Sequence, residues 1–230
     1  MINTVHLGDC FDIMKQIHDN SIDCIITDPP YGMNYQSSWR TDKFDKIEND
    51  DSISWFHSFI SDCYRILKQN THIYIYCNDF YISDFRKLMK QVGFNIKRTL
   101  VWVKNNHTSG DLKGDYANKT EFILYAQKGR RLLNGGRDTN VLYFDRVNCN
   151  IHPTQKPIDI NEYLIKKSTN ENDIVLDTFS GSGTTAIACI NTNRNYICIE
   201  KNNKYHNSSI ERIKNHIQTK PLINNNLFNF

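Results

Sequence analysis

Cys24-Ile25-Ile26-Thr27-Asp28-Pro29-Pro30-Tyr31-Gly32 is an apolar run that ends on two prolines. Such a run reads as a buried strand. Consecutive prolines, with φ fixed and no N–H to donate, stop it abruptly. Asp28 and Tyr31 are therefore expected at the carboxyl edge of a sheet, where open α/β folds bind their ligands. Alone, Asp-Pro-Pro is equally well explained as a strand-terminating turn. A second segment shifts the balance. Ile174-Val175-Leu176 runs into Asp177-Thr178-Phe179-Ser180-Gly181-Ser182-Gly183-Thr184-Thr185, which again reads as strand, glycine-bearing turn and helix start.

Outward from these two points the chain alternates between strand and helix patterns. Strands read at Thr4–Leu7, His72–Cys77, Thr99–Val103, Glu121–Ala126 and Tyr196–Ile199. Helical spacing of apolar residues predicts helices after Gly8-Asp9-Cys10, over Ile53–Leu67, over Phe85–Val92 up to Gly93, over Ile158–Ser168, from about Thr184, and over Lys204–Ile217. Asp9 by itself reads as a helix N-cap. Three segments have no clear period: 33–51 (with Trp39 and Arg40), 104–119 (with Lys104, Lys113 and Lys119) and 127–150 (with Arg130, Arg131, Arg137 and Arg146). Long aperiodic segments in a compact domain tend to be functional. Their basic and aromatic side chains suit either a solvated charged face or contact with phosphates and bases. No repeat or linker interrupts the 230 residues, which fit a single domain.

The net charge of +3 neither demands a polyanionic partner nor repels one. Seven cysteines with no Cys-x-x-Cys spacing read as reduced core thiols rather than bridges or metal ligands. No metal is expected. With no signal peptide and no apolar run near about 18 residues, the expected location is the cytoplasm, away from membranes.

The loop Phe179-Ser180-Gly181-Ser182-Gly183 lets backbone N–H groups approach a ligand closely. It lacks the third glycine of the dinucleotide fingerprint, and the chain has no Gly-Lys-Ser/Thr phosphate loop. Glu200 ends the next strand, about 20 residues on, where an acid can accept hydrogen bonds from ribose hydroxyls. A glycine loop and a ribose acid without a phosphate device fit a nucleoside lacking phosphates, such as S-adenosylmethionine.

Together these residues resemble the DNA amino-methyltransferases of the β arrangement, in which the catalytic motif precedes the cofactor loop. Asp28-Pro29-Pro30-Tyr31 matches the family's catalytic tetrapeptide, and Phe179 to Thr185 its cofactor loop. Glu200 matches the ribose acid, with Lys201 beside it. Gly8-Asp9-Cys10 matches the turn on the adenine of the cofactor, and His152-Pro153-Thr154-Gln155-Lys156-Pro157 the segment at its methionine end. Thr178 stands where the family usually has proline.

The resemblance implies a Rossmann-like class I methyltransferase fold of α/β class. Its seven-stranded, mostly parallel sheet would be circularly permuted, with Asp28 and the glycine loop on adjacent strands. It implies S-adenosylmethionine as cofactor, held by Asp9, Cys10, Asp28, His152, Thr154, Lys156, Asp177, Phe179, Gly181, Ser182, Gly183, Thr184, Thr185, Glu200 and Lys201. Double-stranded DNA is the implied partner, and homodimers and a cognate restriction endonuclease accompany some members. Catalysis would fall to Asp28, Pro29, Pro30 and Tyr31, acting on adenine N6 in a flipped base. Three alternatives stay open: a cytosine-N4 enzyme, an RNA methyltransferase and an inactive DNA-binding scaffold. Methylation at cytosine C5 is excluded, because it needs a Pro-Cys nucleophile and no proline here precedes a cysteine.

Overall fold

A computed structural model describes residues 1–30, 55–107, 113–147 and 155–219. The elements are β1 (Thr4–Leu7), α1 (Cys10–Met14), β2 (Ile22–Thr27), α2 (Phe56–Ile66), β3 (Leu67–Cys77), α3 (Ile82–Val92), β4 (Asn95–Val103), β5 (Thr120–Lys128), β6 (Val141–Tyr143), α4 (Ile158–Ser168), β7 (Ile174–Asp177), α5 (Thr184–Asn191), β8 (Asn195–Glu200) and α6 (Asn203–Thr219). Tyr31, Trp39, Arg40, Cys149, His152 and Thr154 lie outside the described residues.

The strands form one sheet in the order β1-β8-β7-β2-β3-β5-β4-β6. Pairing is parallel except where β5 runs against both β3 and β4. β1 lies beside β8, and β2 beside β7, so both motif strands sit mid-sheet as the permuted order requires. The sheet has eight strands among the described residues rather than the expected seven. The extra one, β6, falls inside the segment read as a loop. It has three residues (Val-Leu-Tyr) and too few apolar positions to show a period.

Alternation along the strands divides the core in two. Ile73, Ile75, Leu124 and Ala126 face α1, α2 and α3, where Phe56 and Phe85 stack at 3.8 Å. Cys24, Ile26, Tyr74, Tyr76, Trp102, Ile123 and Val175 face α4, α5 and α6. The same parity puts Asp28, Glu121 and Asp177 on the second face, where Lys156 bridges the first two and the charge of Asp28 acts on the third.

The six described cysteines are buried and free. Burial pushes the Cys10 and Cys77 thiols up to about 12. A Cys149→Ser variant should therefore show no fast reaction with a thiol reagent at pH 8 until denaturant is added. Prompt labelling in the native state would contradict this packing.

Candidate active site

Four turns meet at the carboxyl edge of β1, β8, β7 and β2. Gly8 N–H donates to the Glu200 carbonyl at 3.0 Å, joining the first turn to the end of β8. Asp9 caps α1, its carboxylate accepting the Phe11 N–H at 2.9 Å. Asp9 also lies 3.6 Å from the Lys201 ammonium, so it is both the N-cap and a neighbour of Glu200's own turn.

The glycine loop is laid across β8. Ser180 N–H donates to the Ile199 carbonyl at 2.9 Å, and Gly181 N–H to a Glu200 carboxylate oxygen at 2.8 Å. The other Glu200 oxygen accepts the Asn202 N–H at 2.8 Å. A carboxylate oxygen has lone pairs for more than one donor, so Glu200 holds the loop and keeps acceptor capacity for a hydroxyl. Burial raises its pKa, against these backbone hydrogen bonds.

Gly183 has φ +77°, and a Cβ there would lie 3.1 Å from Ser209 Cβ on α6, so the loop's last turn needs glycine for both conformation and space. Arg212 of α6 secures the same turn, donating to the Ser182 carbonyl at 2.9 Å. Phe179 packs on Phe59 with ring centroids 5.5 Å apart. The buried Ser180 hydroxyl has no hydrogen-bond partner among the described residues. A left-handed glycine turn, a buried hydroxyl with spare capacity and a strand-end acid fit a nucleoside cofactor.

Thr178, the departure from the family's proline, is explained by its contact. Its hydroxyl lies 2.8 Å from that of Thr27, tying the ends of β7 and β2 together directly before Asp28. Proline offers no hydroxyl for such a tie.

Asp177, at the end of β7, accepts the Thr185 hydroxyl at 2.5 Å and the Phe179 N–H at 3.2 Å. Burial pushes its carboxyl up to about 7, the Thr185 and Phe179 hydrogen bonds oppose this, and the charge of Asp28 adds to it. A carboxyl that holds its proton more tightly folded than unfolded makes the native state lose stability as pH rises from about 4 to about 7. Glu200 acts in the same direction. Asp177→Asn should flatten that part of the profile of Tm against pH, by an amount on the order of a few kcal/mol of unfolding free energy across the range. An unchanged slope would contradict the assignment.

Asp28 sits one residue beyond β2, and Lys156 bridges it to Glu121. The Lys156 ammonium is 2.8 Å from an Asp28 oxygen and is also paired with Glu121. It lies 4.8 Å above the Tyr76 ring. Glu121 is paired in turn with Lys104 at 3.0 Å. Burial works against both charges, yet the two carboxylates hold the Lys156 pKa above its ordinary value. The two lysines likewise hold Glu121 below its own. Lys156 was expected at the methionine end of a cofactor; here its ammonium is engaged with Asp28.

The candidate DNA contacts do not share one surface. β5 is antiparallel, with Lys128 paired to Thr71 at the start of β3. Arg130 and Arg131, just past β5, and Arg137, ahead of β6, therefore lie at the edge opposite Asp28. The direction of β5 separates them from the site, and local sequence does not reveal it. Lys104 and Lys119 flank the turn from β4 to β5 at the catalytic edge, joined by a backbone hydrogen bond of 2.9 Å. Lys113 is in that same turn, and Arg146 is tied to it by a bond from its N–H to Asn105 at 3.0 Å. Lys113, Lys119 and Arg146 are exposed, whereas Lys104 is largely covered by Glu121 and Trp102.

Glu121 was not singled out in the sequence, although a lone acid at the head of an apolar run, diagonal to a lysine across a hairpin, is a detectable signal. Tyr76 and Asn161 were also missed. The Tyr76 hydroxyl donates to Asn161 at 2.8 Å, and Asn161 donates to Thr185 at 3.0 Å, linking β3 to the start of α5.

A central parallel sheet with the glycine loop and an acidic turn on adjacent strand ends defines a class I methyltransferase. A family model described as DNA methylase matches residues 22–146 and 134–211. The chain belongs to this family of N6/N4 DNA methylases, and it is an S-adenosylmethionine-dependent DNA methyltransferase. It is 31% identical over 225 residues to the type II methyltransferase M2.MboI of Moraxella bovis, covering 86% of this chain and 82% of that protein. It is 30% identical over 250 residues to the DNA adenine methyltransferase YhdJ of Escherichia coli (strain K12), covering 91% and 82%. The crystal structure of an M1.HpyAVI–SAM complex superposes with a TM-score of 0.71 at 29% identity, covering 91% of this chain and 98% of that one.

Proposed function

We propose that the protein methylates the N6 amine of adenine in double-stranded DNA, acting on a base rotated out of the duplex. The observation that carries this is the adjacency of β2 and β7, with the Thr27–Thr178 hydrogen bond at 2.8 Å between their ends. It sets Asp28 beside the glycine loop. Asp at position 28, where cytosine-N4 relatives usually carry serine, favours adenine.

S-adenosylmethionine supplies an electrophilic methyl carbon. Asp9, Cys10, His152, Thr154, Lys156, Asp177, Phe179, Gly181, Ser182, Gly183, Thr184, Thr185, Glu200 and Lys201 are its proposed binding residues, and Asp28, which the resemblance also counts there, is assigned chiefly to the target amine. Glu200 would accept ribose hydroxyls, while the glycine turn, whose Phe179, Ser180, Gly181 and Gly183 N–H groups donate within the protein, would supply room for the cofactor rather than donors. The chain's own work is on the target amine, whose lone pair is delocalised into the purine ring. An Asp28 oxygen and the Pro29 carbonyl each accept one of its N–H bonds, turning the lone pair out of the ring plane. Contacts that strengthen as the nitrogen becomes tetrahedral stabilise the transition state more than the bound base. Pro30 fixes the turn and Tyr31 stacks on the flipped base. Lys113, Lys119 and Arg146, with Trp39 and Arg40 of segment 33–51, are the proposed DNA contacts. A homodimer and a cognate endonuclease are compatible with this reading and are not needed by it.

Duplexes that carry either adenine or cytosine amines as the sole acceptor, followed by identification of the product nucleoside, test the reading. N6-methyladenine is expected. N4-methylcytosine alone, or methylation of RNA only, would overturn it.

A further inference from the structure

Lys104, Glu121, Lys156 and Asp28 form one chain of ion pairs that alternates in sign at the catalytic edge. The side chains of Glu121 and Lys156 are 14% and 10% exposed, so their charges sit largely out of water. A pair buried this deeply adds little to stability over apolar side chains of the same volume. Its position, one contact from the acid that meets the target amine, points to a role in the reaction.

We propose that Glu121 is a positioning residue for methyl transfer: its carboxylate shares the Lys156 ammonium with Asp28, so that Lys156 orients Asp28 through one of its oxygens without being drawn across the whole carboxylate. This rests on the reading of Asp28 as acceptor for the target amine. With the ammonium divided between two acids, Asp28 is fixed in direction yet retains lone pairs for the amine. Without the charge on Glu121, Lys156 turns wholly to Asp28 and competes with the substrate for it. The charge that helps hold the ammonium protonated against its burial is also lost.

The groups facing Lys156 are Asp28 from the end of β2, the Tyr76 ring from β3 and Glu121 from β5, while Cys77, on the other face of β3, feels its charge without contact. Lys104 from the end of β4 reaches it through Glu121, and Asp177 of β7 adds its charge around Tyr76. Among these, Glu121 and Asp28 are the carboxylates that raise Lys156. Removing one of them therefore lets Lys156 lose its proton at lower pH.

The test compares wild type with Glu121→Gln, and with Glu121→Asp as the variant that keeps the charge. Glu121→Gln is expected to lower kcat on the order of 10²-fold, with KM for the methyl donor nearly unchanged. The Lys156 ammonium protons, followed by nitrogen NMR near neutral pH in the protein alone, should exchange with solvent about ten-fold or more faster, since one of their two carboxylate partners is lost. Glu121→Asp should restore slow exchange and most of kcat. Wild-type kcat in Glu121→Gln, or ammonium exchange unmoved by it, overturns the proposal. If wild type methylates no adenine in DNA, the functional reading fails, whereas the NMR measurement still decides whether Glu121 holds Lys156.

Discussion

Asp28→Ala should lower methyl transfer by about 10³-fold or more while leaving affinity for S-adenosylmethionine within a few-fold of wild type. The carboxylate sits one residue beyond β2, beside β7 rather than on the glycine loop, and its proposed work is on the amine of the base. Removing it strips the substrate nitrogen of its acceptor in the transition state. The Lys156 ammonium keeps Glu121 as a partner, so the fold should hold. Single-turnover transfer to a duplex, paired with calorimetry of donor binding, separates the two quantities. Parallel losses of binding and transfer would mean that Asp28 belongs to the cofactor site.

Glu200→Ala should show the reverse pattern. Glu200 accepts the Gly181 N–H at 2.8 Å and the Asn202 N–H at 2.8 Å, and it stands at the strand end where ribose hydroxyls arrive. Truncation removes the ribose acceptor and frees the loop it anchors, and hydrogen bonds to a charged acceptor are each worth about 1.5–3 kcal/mol. Donor affinity should fall by at least about 10²-fold, and Tm should drop because two backbone donors lose their partner. At saturating donor, kcat should recover to near the wild-type value. A kcat that stays low at saturation would place Glu200 in the chemistry instead.

Much of this was legible in the chain because its two motif strands announce themselves. Ile22–Thr27 is continuously buried and ends on two prolines. Ile174–Asp177 runs into a loop whose Gly183 has a left-handed φ. Helix α4 begins and ends where the spacing put it, at Ile158 and Ser168. β6 was not legible, since three residues carry no period. Which of the basic residues share an edge with Asp28 was not legible either. Lys119 precedes β5 while Arg130 and Arg131 follow it, so they fall at opposite edges; which edge belongs to Asp28 depends on the direction of β5, set by its pairing with β3 and β4. The Lys156–Asp28 contact joins positions 128 residues apart by subtraction of their numbers, and it exists because parity aims β2 and β5 side chains at the start of α4. Such long-range charge pairs are properties of topology. The family's proline at position 178 likewise gave no hint that threonine would bond to Thr27.

The central claim is that the acid turn after β2 and the glycine loop after β7 form one pocket. A crystal structure with a non-reactive donor analogue and a cognate duplex tests it most directly. The ribose should lie on Glu200, and the target nitrogen should be within about 3–3.5 Å of both the donor's transferring position and an Asp28 oxygen. A donor seated away from Glu200, or a target nitrogen that Asp28 does not reach, would contradict it.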